Sequence, residues 1–505
     1  MDKNIYIHRF IEDDLLDWKL NSSNKVLVVS GCRQVGKTTT IMEFARHEYE
    51  NVVYINVATD IFVKELAAAS WYNIVECIRQ ISEKMGVTYT DDSATILILD
   101  EIQESKAVYE RIRLFSRGLK CHVIVTGSYL GRLKNAFQPM GDICKLQMYP
   151  LSYQEYLYYF NGYNYFKEHS IEEICNNQEV FNWYADIYNV YTIVGGYPEV
   201  FVNYLNSKPI ESCFRSLVGI FSDEFKGNTT VASDYDKLSQ MFQAICVAMV
   251  REKKGAFGNL NIVSQLTEQD DKKRLNKKEC NNLLAWMSES HILNYADRVD
   301  LESNEVYPSE RMYFEDIGLA NYLCNRYNID ISAKNGLLAE TFVYKQLAEN
   351  DFFDRFYFDR PAFAIYNQYE VDFYVRSKYD DLRYGIEVKA GNNKGISINK
   401  LLDRGLIDIV INAKGSSGYG SKDQKYTIPI FLFSKFEFNE GPKVFRETIS
   451  MIEDFHKIEQ RLPSNNKTID NHSFGSKPLD DFDSIKLSNQ GNDTEKQHKP
   501  LSTKN

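Results

Sequence analysis

No uncharged apolar run in this 505-residue chain approaches the ~20 residues that a helix needs to cross a bilayer. The opening MDKNIYIHRFIEDDLL is charged and has no signal-peptide apolar core. The expected location is therefore cytoplasmic, with no membrane partner. Nine cysteines, odd in number and scattered, include no Cys-x-x-Cys pair, which sets aside a disulfide framework and suits reduced thiols in a cytosol. Eight histidines show no His-Glu-x-x-His or other metal spacing. Positive charge is not in excess either. A net charge of −11 argues against a surface that attracts nucleic acid everywhere, although local basic patches can still bind phosphates. With 44% apolar and 26% charged residues, the chain is globular. At about 150 residues per domain it has length for roughly three cores.

Against these absences stands VLVVSGCRQVGKTTT, Val26 to Thr40, a β-branched run feeding a glycine loop. Gly31 and Gly36 bracket four residues, Cys32, Arg33, Gln34 and Val35, so the backbone can curl with its N–H groups aimed inward at a β/γ-phosphate. Lys37 supplies a point charge, and Thr38, ahead of Thr39, a hydroxyl for Mg2+. Arg33 and Gln34 lie within the loop, placed to tune it. ATP and Mg2+ are the expected ligands.

Thr39 to His47 reads as helix, and Val52 to Val57, Ala94 to Glu101 and His122 to Thr126 as short buried strands. Continuous apolar strands separated by helical stretches imply a mostly parallel sheet covered on both faces, an α/β core over 1–145. Aromatic-rich helical text from about Leu146, with the turn Gly195-Gly196-Tyr197-Pro198, predicts a helical lid over 146–235. Residues 236–330 read as helices followed by a short hairpin around Ile292 to Tyr295 and Arg311 to Phe314, resembling a winged helix. Asn276 and Glu279 suggest a capping box, with Cys280, Leu283, Leu284 and Met287 on one helical face. A third unit, 331–456, opens with a helix holding Glu340 and offers strands near Phe352 to Phe358, Glu370 to Val375 and Tyr384 to Lys389. Residues 457–505, rich in Ser, Asn, Asp, Lys and Gly, read as a disordered tail.

Asp100 follows the apolar run ILIL, the placement needed for a carboxylate that holds Mg2+ beside Thr38. Glu101, directly after it, can lie against a γ-phosphate and orient or deprotonate water, which favours hydrolysis over transfer to a metabolite. Thr126 and Ser128 close the fourth strand, where either could place a hydroxyl near that water. Arg111, Arg113, Arg117 and Arg132 are candidates for an arginine finger, in cis or from a second copy of an oligomer. Arg132 is preferred because it follows the Ser128 turn.

The ordered series GCRQVGKTTT, ILILDEIQ, VIVTGS, YPLSYQEYL, GGYPE, YFEDIGLA, EVDFYV and IEVKAG resembles a large group of prokaryotic AAA-type ATPases. Their C-terminal domain, of poorly defined function, is related to PD-(D/E)xK nucleases. The resemblance spans roughly Asn4 to His456. It implies an additional-strand P-loop core, a winged-helix region and a restriction-endonuclease-like module. By motif match, Lys37 and Thr38 carry over as nucleotide and Mg2+ ligands, Asp100 and Glu101 as the Walker B pair, and Ser128 or Thr126 as a sensor.

The C-terminal module has chemistry of its own. Glu387 and Lys389, two apart on an expected strand, project from one face, with Asp372 on the preceding strand and Glu340 on the helix. Carboxylates so placed can share a Mg2+ that polarises a scissile phosphate, while the lysine orients the attacking water. The basic cluster Lys272, Lys273, Arg274, Lys277 and Lys278 can contact DNA phosphates, though Glu268, Asp270 and Asp271 dilute its field. Three functions compete. One is an ATPase that switches a winged-helix and nuclease-like arm on DNA. The second is an ATP-binding regulator whose C-terminal domain is an inactive scaffold for a protein partner. The third, a small-molecule phosphotransferase, is disfavoured by Glu101.

Overall fold

The computed structural model describes residues 5–21, 25–128, 141–228, 235–251, 277–308, 311–348, 352–390, 397–415 and 418–438. In the first unit, helix α1 (Ile11–Asn21) precedes β1 (Val26–Ser30), α2 (Lys37–Glu48) and β2 (Asn51–Asn56). Then come α3 (Val63–Ala68), α4 (Ile74–Met85), β3 (Thr95–Asp100), α5 (Lys106–Tyr109), α6 (Ile112–Gly118), β4 (His122–Gly127) and β5 (Ile143–Gln147). The five strands are all parallel, in the order β2-β3-β4-β1-β5. Period-2 alternation divides their side chains between two cores. Val26, Val28, Val53, Ile55, Leu97, Leu99, Val123 and Val125 pack with residues of α3 to α6. Leu27, Val29, Ile96, Ile98 and Ile124 pack on the opposite side with α1 and α2. Both faces being covered, the inner strands are largely apolar, and each buried Val, Leu or Ile contributes about 1.5–3 kcal/mol. The sheet reaches Gln147, two residues past the boundary expected at 145. Edge strand β5, ICKLQ, lacks the continuous apolar character that marks the inner strands.

Six helices follow: α7 (Tyr153–Tyr159), α8 (Tyr163–Glu168), α9 (Ile171–Asn176), α10 (Gln178–Val194), α11 (Pro198–Leu205) and α12 (Glu211–Asn228). Ser152 and Glu155 form a capping box that starts α7. Next come α13 (Tyr235–Arg251), α14 (Lys277–Glu289), β6 (Leu293–Tyr295), β7 (Asp297–Asp300), β8 (Val306–Tyr307), β9 (Met312–Phe314) and α15 (Ile317–Arg326). The two segments expected as a hairpin do pair, β6 and β9 being antiparallel with Leu293 opposite Phe314, but β7 and β8 lie between them, so they are not joined as a hairpin. On α14, Cys280, Leu283 and Met287 are buried. Asn276, Lys272, Lys273, Arg274 and the tail 457–505 lie outside the described residues.

The last unit contains α16 (Ile331–Ala348), α17 (Phe352–Arg355), β10 (Ala362–Tyr366), β11 (Tyr369–Arg376), β12 (Arg383–Lys389), α18 (Ser397–Asp403), β13 (Ile409–Lys414), β14 (Gly420–Lys422) and β15 (Lys425–Pro429). Strands β10, β11 and β12 form an antiparallel meander. Across α18 the chain returns to a parallel pairing of β13 on β12. Two expectations change here. Phe352–Phe358, expected as a strand, is the short α17 followed by a single bridge from Phe356 to Ser377. Its aromatics pack with one another and with Phe438 rather than pairing along a ladder. Strands β7 and β8, inside the 236–330 segment, join the C-terminal sheet through a parallel pairing of β7 with β10. The DRVD text of β7 buries only Val299 and carries no signal of which sheet it joins.

The core of the α1 and α2 face continues through the helical region into the C-terminal unit. Phe342 of α16 meets Tyr153, Tyr188 and Tyr191 at centroid distances of 5.6, 4.9 and 6.1 Å, and Phe431 meets Phe181 at 5.1 Å.

Candidate nucleotide and metal sites

The loop between β1 and α2 lies at the carboxyl ends of the strands. Gly31 has φ 150°, and a Cβ there would stand 2.2 Å from the Met148 carbonyl oxygen. Gly36 caps α2 at φ 93°, a left-handed conformation that any Cβ would strain. Lys37 opens α2, and its Nζ donates to Gly31 O at 2.9 Å, Cys32 O at 2.8 Å and Ser128 Oγ at 3.0 Å. This ammonium is buried, and among the described residues no carboxylate lies within ion-pair distance of it. Burial accordingly pushes its pKa down. A charge held only by neutral acceptors lacks an anion, and a phosphate entering the loop would supply one.

Facing the loop, Asp100 ends β3. Its carboxylate accepts from Thr38 Oγ1 at 2.7 Å, Tyr54 Oη at 2.9 Å and the Glu101 amide at 2.9 Å. An exposed hydroxyl and a buried carboxylate this close are hard oxygen donors suited to Mg2+. Glu101 adopts φ 54°, ψ 44°, a conformation costing a non-glycine residue roughly 1–2 kcal/mol and characteristic of functional sites. Gln103 donates to its carboxylate, and Arg33 Nη1 stands 3.9 Å away. Arg33 Nε also lies 2.7 Å from Glu224 on α12. The carboxylates of Glu224 and Glu101 hold the Arg33 guanidinium above its usual range although burial opposes them.

Of the two strand-end hydroxyls, Ser128 reaches Lys37, whereas the buried Thr126 hydroxyl has no hydrogen-bond partner among the described residues. Cys32 and Val35 are buried, and Gln34, Thr38 and Thr39 exposed. The arginines after the acids go elsewhere. Arg111 donates to Ala67 O, and Arg113 and Arg117 grip Asp142, which precedes β5 at the opposite edge of the sheet. Arg132 lies outside the described residues. Three further side chains serve the site without having been singled out in the sequence: Tyr54, Arg9 and Gln103, the last closing the ILILDEIQ motif. Arg9 braces the loop from the chain start, donating to Val35 O, Tyr149 O and Glu155. Only the β2–β3 pairing, which sets Asn56 beside Asp100 and brings Tyr54 near, could have pointed to Tyr54.

Residues 23–157 match a family described as AAA domain. Within that range the sheet sets β4 between the loop strand β1 and the acid-ended strand β3. The segment is an AAA-type P-loop ATPase domain. This AAA domain carries both glycines, Lys37, Thr38, Asp100 and Glu101. No curated protein matched the chain. Among solved structures, it is similar to a Walker-type ATPase of Pyrococcus abyssi at 15% identity and TM-score 0.40, covering 64% of this chain and 97% of that one. It is also similar to the RuvB Holliday junction branch migration motor of Thermotoga maritima, at 13% identity and TM-score 0.24, covering 60% and 93%. A signal transduction ATPase with a tetratricopeptide repeat sensor from Pyrococcus horikoshii is similar at 11% identity and TM-score 0.23, covering 68% and 49%.

The second candidate site gathers around β11 and β12. Lys389 Nζ lies 2.6 Å from Glu387 Oε1 and 3.8 Å from Asp372 Oδ2, and Asp372 Oδ2 accepts the Val388 amide at 2.7 Å. Burial, with the Asp372 charge adding to it and Lys389 opposing, pushes Glu387 up to about 7; Glu340 also acts on it. Burial opposes the Lys389 charge, yet the Asp372 and Glu387 carboxylates raise its pKa. Glu340 and Asp372 line a small open pocket together with Met249, Arg311, Tyr313 and Glu370. Among the described residues no three His, Cys, Asp or Glu stand with the spacing of a metal cage. Of the basic cluster, Lys277 opens α14 and Lys278 is exposed. Among the described residues no helix is long and apolar enough to cross a membrane.

Proposed function

We propose that this chain is a Mg2+-dependent ATP hydrolase whose nucleotide state repositions the helical and C-terminal units, with DNA as the partner of that arm. The buried ammonium of Lys37, which among the described residues is hydrogen-bonded only to neutral acceptors, carries the reading, because it is stabilised by the anion that ATP brings. In this reading Lys37 exchanges loop carbonyls for phosphate oxygens, and the loop amides cradle the same group. Thr38 and Asp100 would hold Mg2+, which when bound neutralises charge on the β- and γ-phosphates. Tyr54 and the Glu101 amide fix Asp100 in place. Glu101, oriented by Gln103, positions the attacking water and accepts its proton. Ser128 holds Lys37 toward the phosphates.

A second reading keeps ATP binding but makes the C-terminal unit an inactive scaffold for a protein partner. The pairing of Lys389 with Glu387 at 2.6 Å favours it, because the ammonium already occupies a carboxylate that a metal would need. One experiment separates the readings: ATP turnover with and without DNA, followed by an assay of that DNA for Mg2+-dependent nicks. Nicking lost in Asp372→Asn with ATP turnover intact supports a working nuclease site. Turnover without nicking, unaltered by Asp372→Asn, supports the scaffold. No turnover under any condition would sink the ATPase reading.

A further inference from the structure

Arg9 stands in the charged text IYIHRFIEDD, ahead of the residues that match the AAA domain, and belongs to none of the motifs. The fold nevertheless buries it against the phosphate loop. Its guanidinium divides among three parts of the structure: Nη1 donates to Val35 O in the loop at 2.9 Å, Nη2 to Tyr149 O just past β5 at 2.7 Å, and Nε to Glu155 Oε1 on α7 at 2.9 Å. Glu155 is itself fixed, because its carboxylate also accepts the Phe10 amide at 2.8 Å and the Ser152 amide at 2.7 Å. The Val35–Gly36 peptide is trans and planar, so its C=O and N–H point in opposite directions. Gly36 has no side chain to hold that plane, and the place of its missing Cβ lies 3.5 Å from Pro198 Cγ and 4.0 Å from Arg9 Nη1. Arg9 thus grips the carbonyl from one side of the loop, and the Gly36 N–H is turned to the other.

We infer that Arg9 is a positioning residue for the phosphate: its hold on Val35 O keeps the Gly36 amide aimed at the anion, and its hold on Glu155 makes that aim depend on the seating of α7. The inference rests on the ATPase reading and goes beyond it by coupling nucleotide affinity to the helical region. An amide already aimed at the anion costs no reorganisation when phosphate arrives. Without Arg9, a peptide flanked by glycine is free to rotate and present its carbonyl oxygen to the phosphate, which repels it. The role asks for arginine, since a rigid fork reaches three acceptors at once and a lysine ammonium is a single point on a flexible stem. The coupling is reciprocal: a bound phosphate that holds the Gly36 N–H inward also holds Val35 O toward Arg9, and through Arg9 steadies α7 against the loop.

The test is equilibrium binding of fluorescent ADP and of a non-hydrolysable ATP analogue, with steady-state ATP turnover, on the full chain and its variants. Arg9→Ala is expected to weaken both nucleotides about 10-fold or more, the scale of one charged-donor hydrogen bond, and by similar factors because both carry the phosphate that the Gly36 amide meets. KM should rise accordingly, with kcat at saturating ATP within about 3-fold of wild type. Arg9→Lys should recover part of the affinity. Glu155→Gln should weaken both nucleotides several-fold, yet by less than about 2-fold in the Arg9→Ala background. With ADP bound, deuterium exchange of residues 31–38 should rise in Arg9→Ala while that of β3 and β4 stays at the wild-type level; a general loss of structure would raise all of them. Unchanged nucleotide affinity in Arg9→Ala, a loss confined to kcat, or an undiminished Glu155→Gln effect without Arg9 would overturn the inference while leaving the ATPase reading standing. Failure of the wild-type chain to bind either nucleotide would overturn both. Should Arg9→Ala not fold, Arg9→Lys and Glu155→Gln decide: weakened binding of both nucleotides in each supports the inference, and wild-type affinity in either overturns it.

Discussion

Lys37 is placed for a ligand and against stability. Its ammonium is buried and makes three hydrogen bonds, to Gly31 O, Cys32 O and Ser128 Oγ, each contributing about 1.5–3 kcal/mol as a charged-donor bond. Opposing them is a desolvation penalty of several kcal/mol for an ion without a counter-charge. The downward pKa shift, caused first by burial, gives the sign of the balance: the folded chain disfavours the charged form. Lys37→Met keeps the stem and removes the charge, so unfolding free energy without nucleotide should stay within about 2 kcal/mol of wild type or increase. ATP binding and turnover should disappear. The pH dependence adds a second check. A lysine whose folded pKa lies below its unfolded value penalises the folded state while both forms are protonated, and the penalty fades as pH rises toward the unfolded value. Any advantage of the variant should therefore narrow from neutral to alkaline pH. Urea unfolding at several pH values, with nucleotide binding on the same samples, measures all of this. A loss of more than about 3 kcal/mol in Lys37→Met, or retained turnover, would refute the reasoning.

Gly31→Ala sets a Cβ 2.2 Å from Met148 O at φ 150°, so thermal denaturation should show a cost of about 2 kcal/mol or more, together with lost ATP binding. Tyr54→Phe removes one of three donors to Asp100, and titration of ATP turnover with Mg2+ should show a several-fold higher half-saturation with unfolding free energy changed by about 1 kcal/mol at most. In Glu101→Gln, ATP should stay bound while hydrolysis slows at least about 100-fold; single-turnover kinetics at the wild-type rate would remove Glu101 from its role. Glu387, raised to about 7 in the folded chain, holds its proton more tightly there than when unfolded, so its contribution to stability is present at acid pH and is lost as pH climbs through 7. Glu387→Gln should gain on wild type in unfolding free energy between about pH 5 and pH 8.

The inner strands of the first sheet were legible because burial on both faces leaves one kind of text. VVYINV, ATILILDE and HVIVT each correspond to an observed strand to within a residue or so at either end. The edge strand β5 was not legible, since ICKLQ is covered less completely and alternates weakly. Phe352–Phe358 misled for a related reason: aromatic residues satisfy a strand pattern and an aromatic cluster equally well, and tertiary packing chose the cluster. The candidate site divides in the same way. Its loop and acids are contiguous in sequence, so Gly31 to Thr38, Asp100 and Glu101 could be named from spacing alone. Tyr54 and Arg9 reach the site through the fold, and nothing local to them marks the role, whereas Gln103 stands two residues after Glu101 in the same motif.

The motifs GGYPE and YFEDIGLA have a physical reason that spacing could not reveal. Gly195 ends α10 and Gly318 begins α15, and their backbones touch: a Cβ on Gly195 would stand 2.8 Å from Gly318 Cα, and one on Gly318 would stand 2.6 Å from Gly195 N. Between them the fully buried Asp316 carboxylate accepts the Gly196 amide at 2.6 Å and caps α15 through the Leu319 amide at 2.7 Å. Leu151, just beyond β5, donates its amide to Gly196 O at 2.7 Å, which ties the same turn to the exit of the nucleotide-binding sheet. Pro198, the next residue but one, lies 3.5 Å from where a Cβ on Gly36 would stand, so the turn also lies against the phosphate loop. In the proposed reading, any displacement of that loop by nucleotide would meet a close-packed corner built from two glycines and a buried aspartate. The same corner begins α15, which packs on α16, the helix that holds Glu340. Close backbone packing at this corner leaves little room for the loop and the C-terminal unit to move independently, and that mechanical continuity is what a nucleotide-driven switch requires.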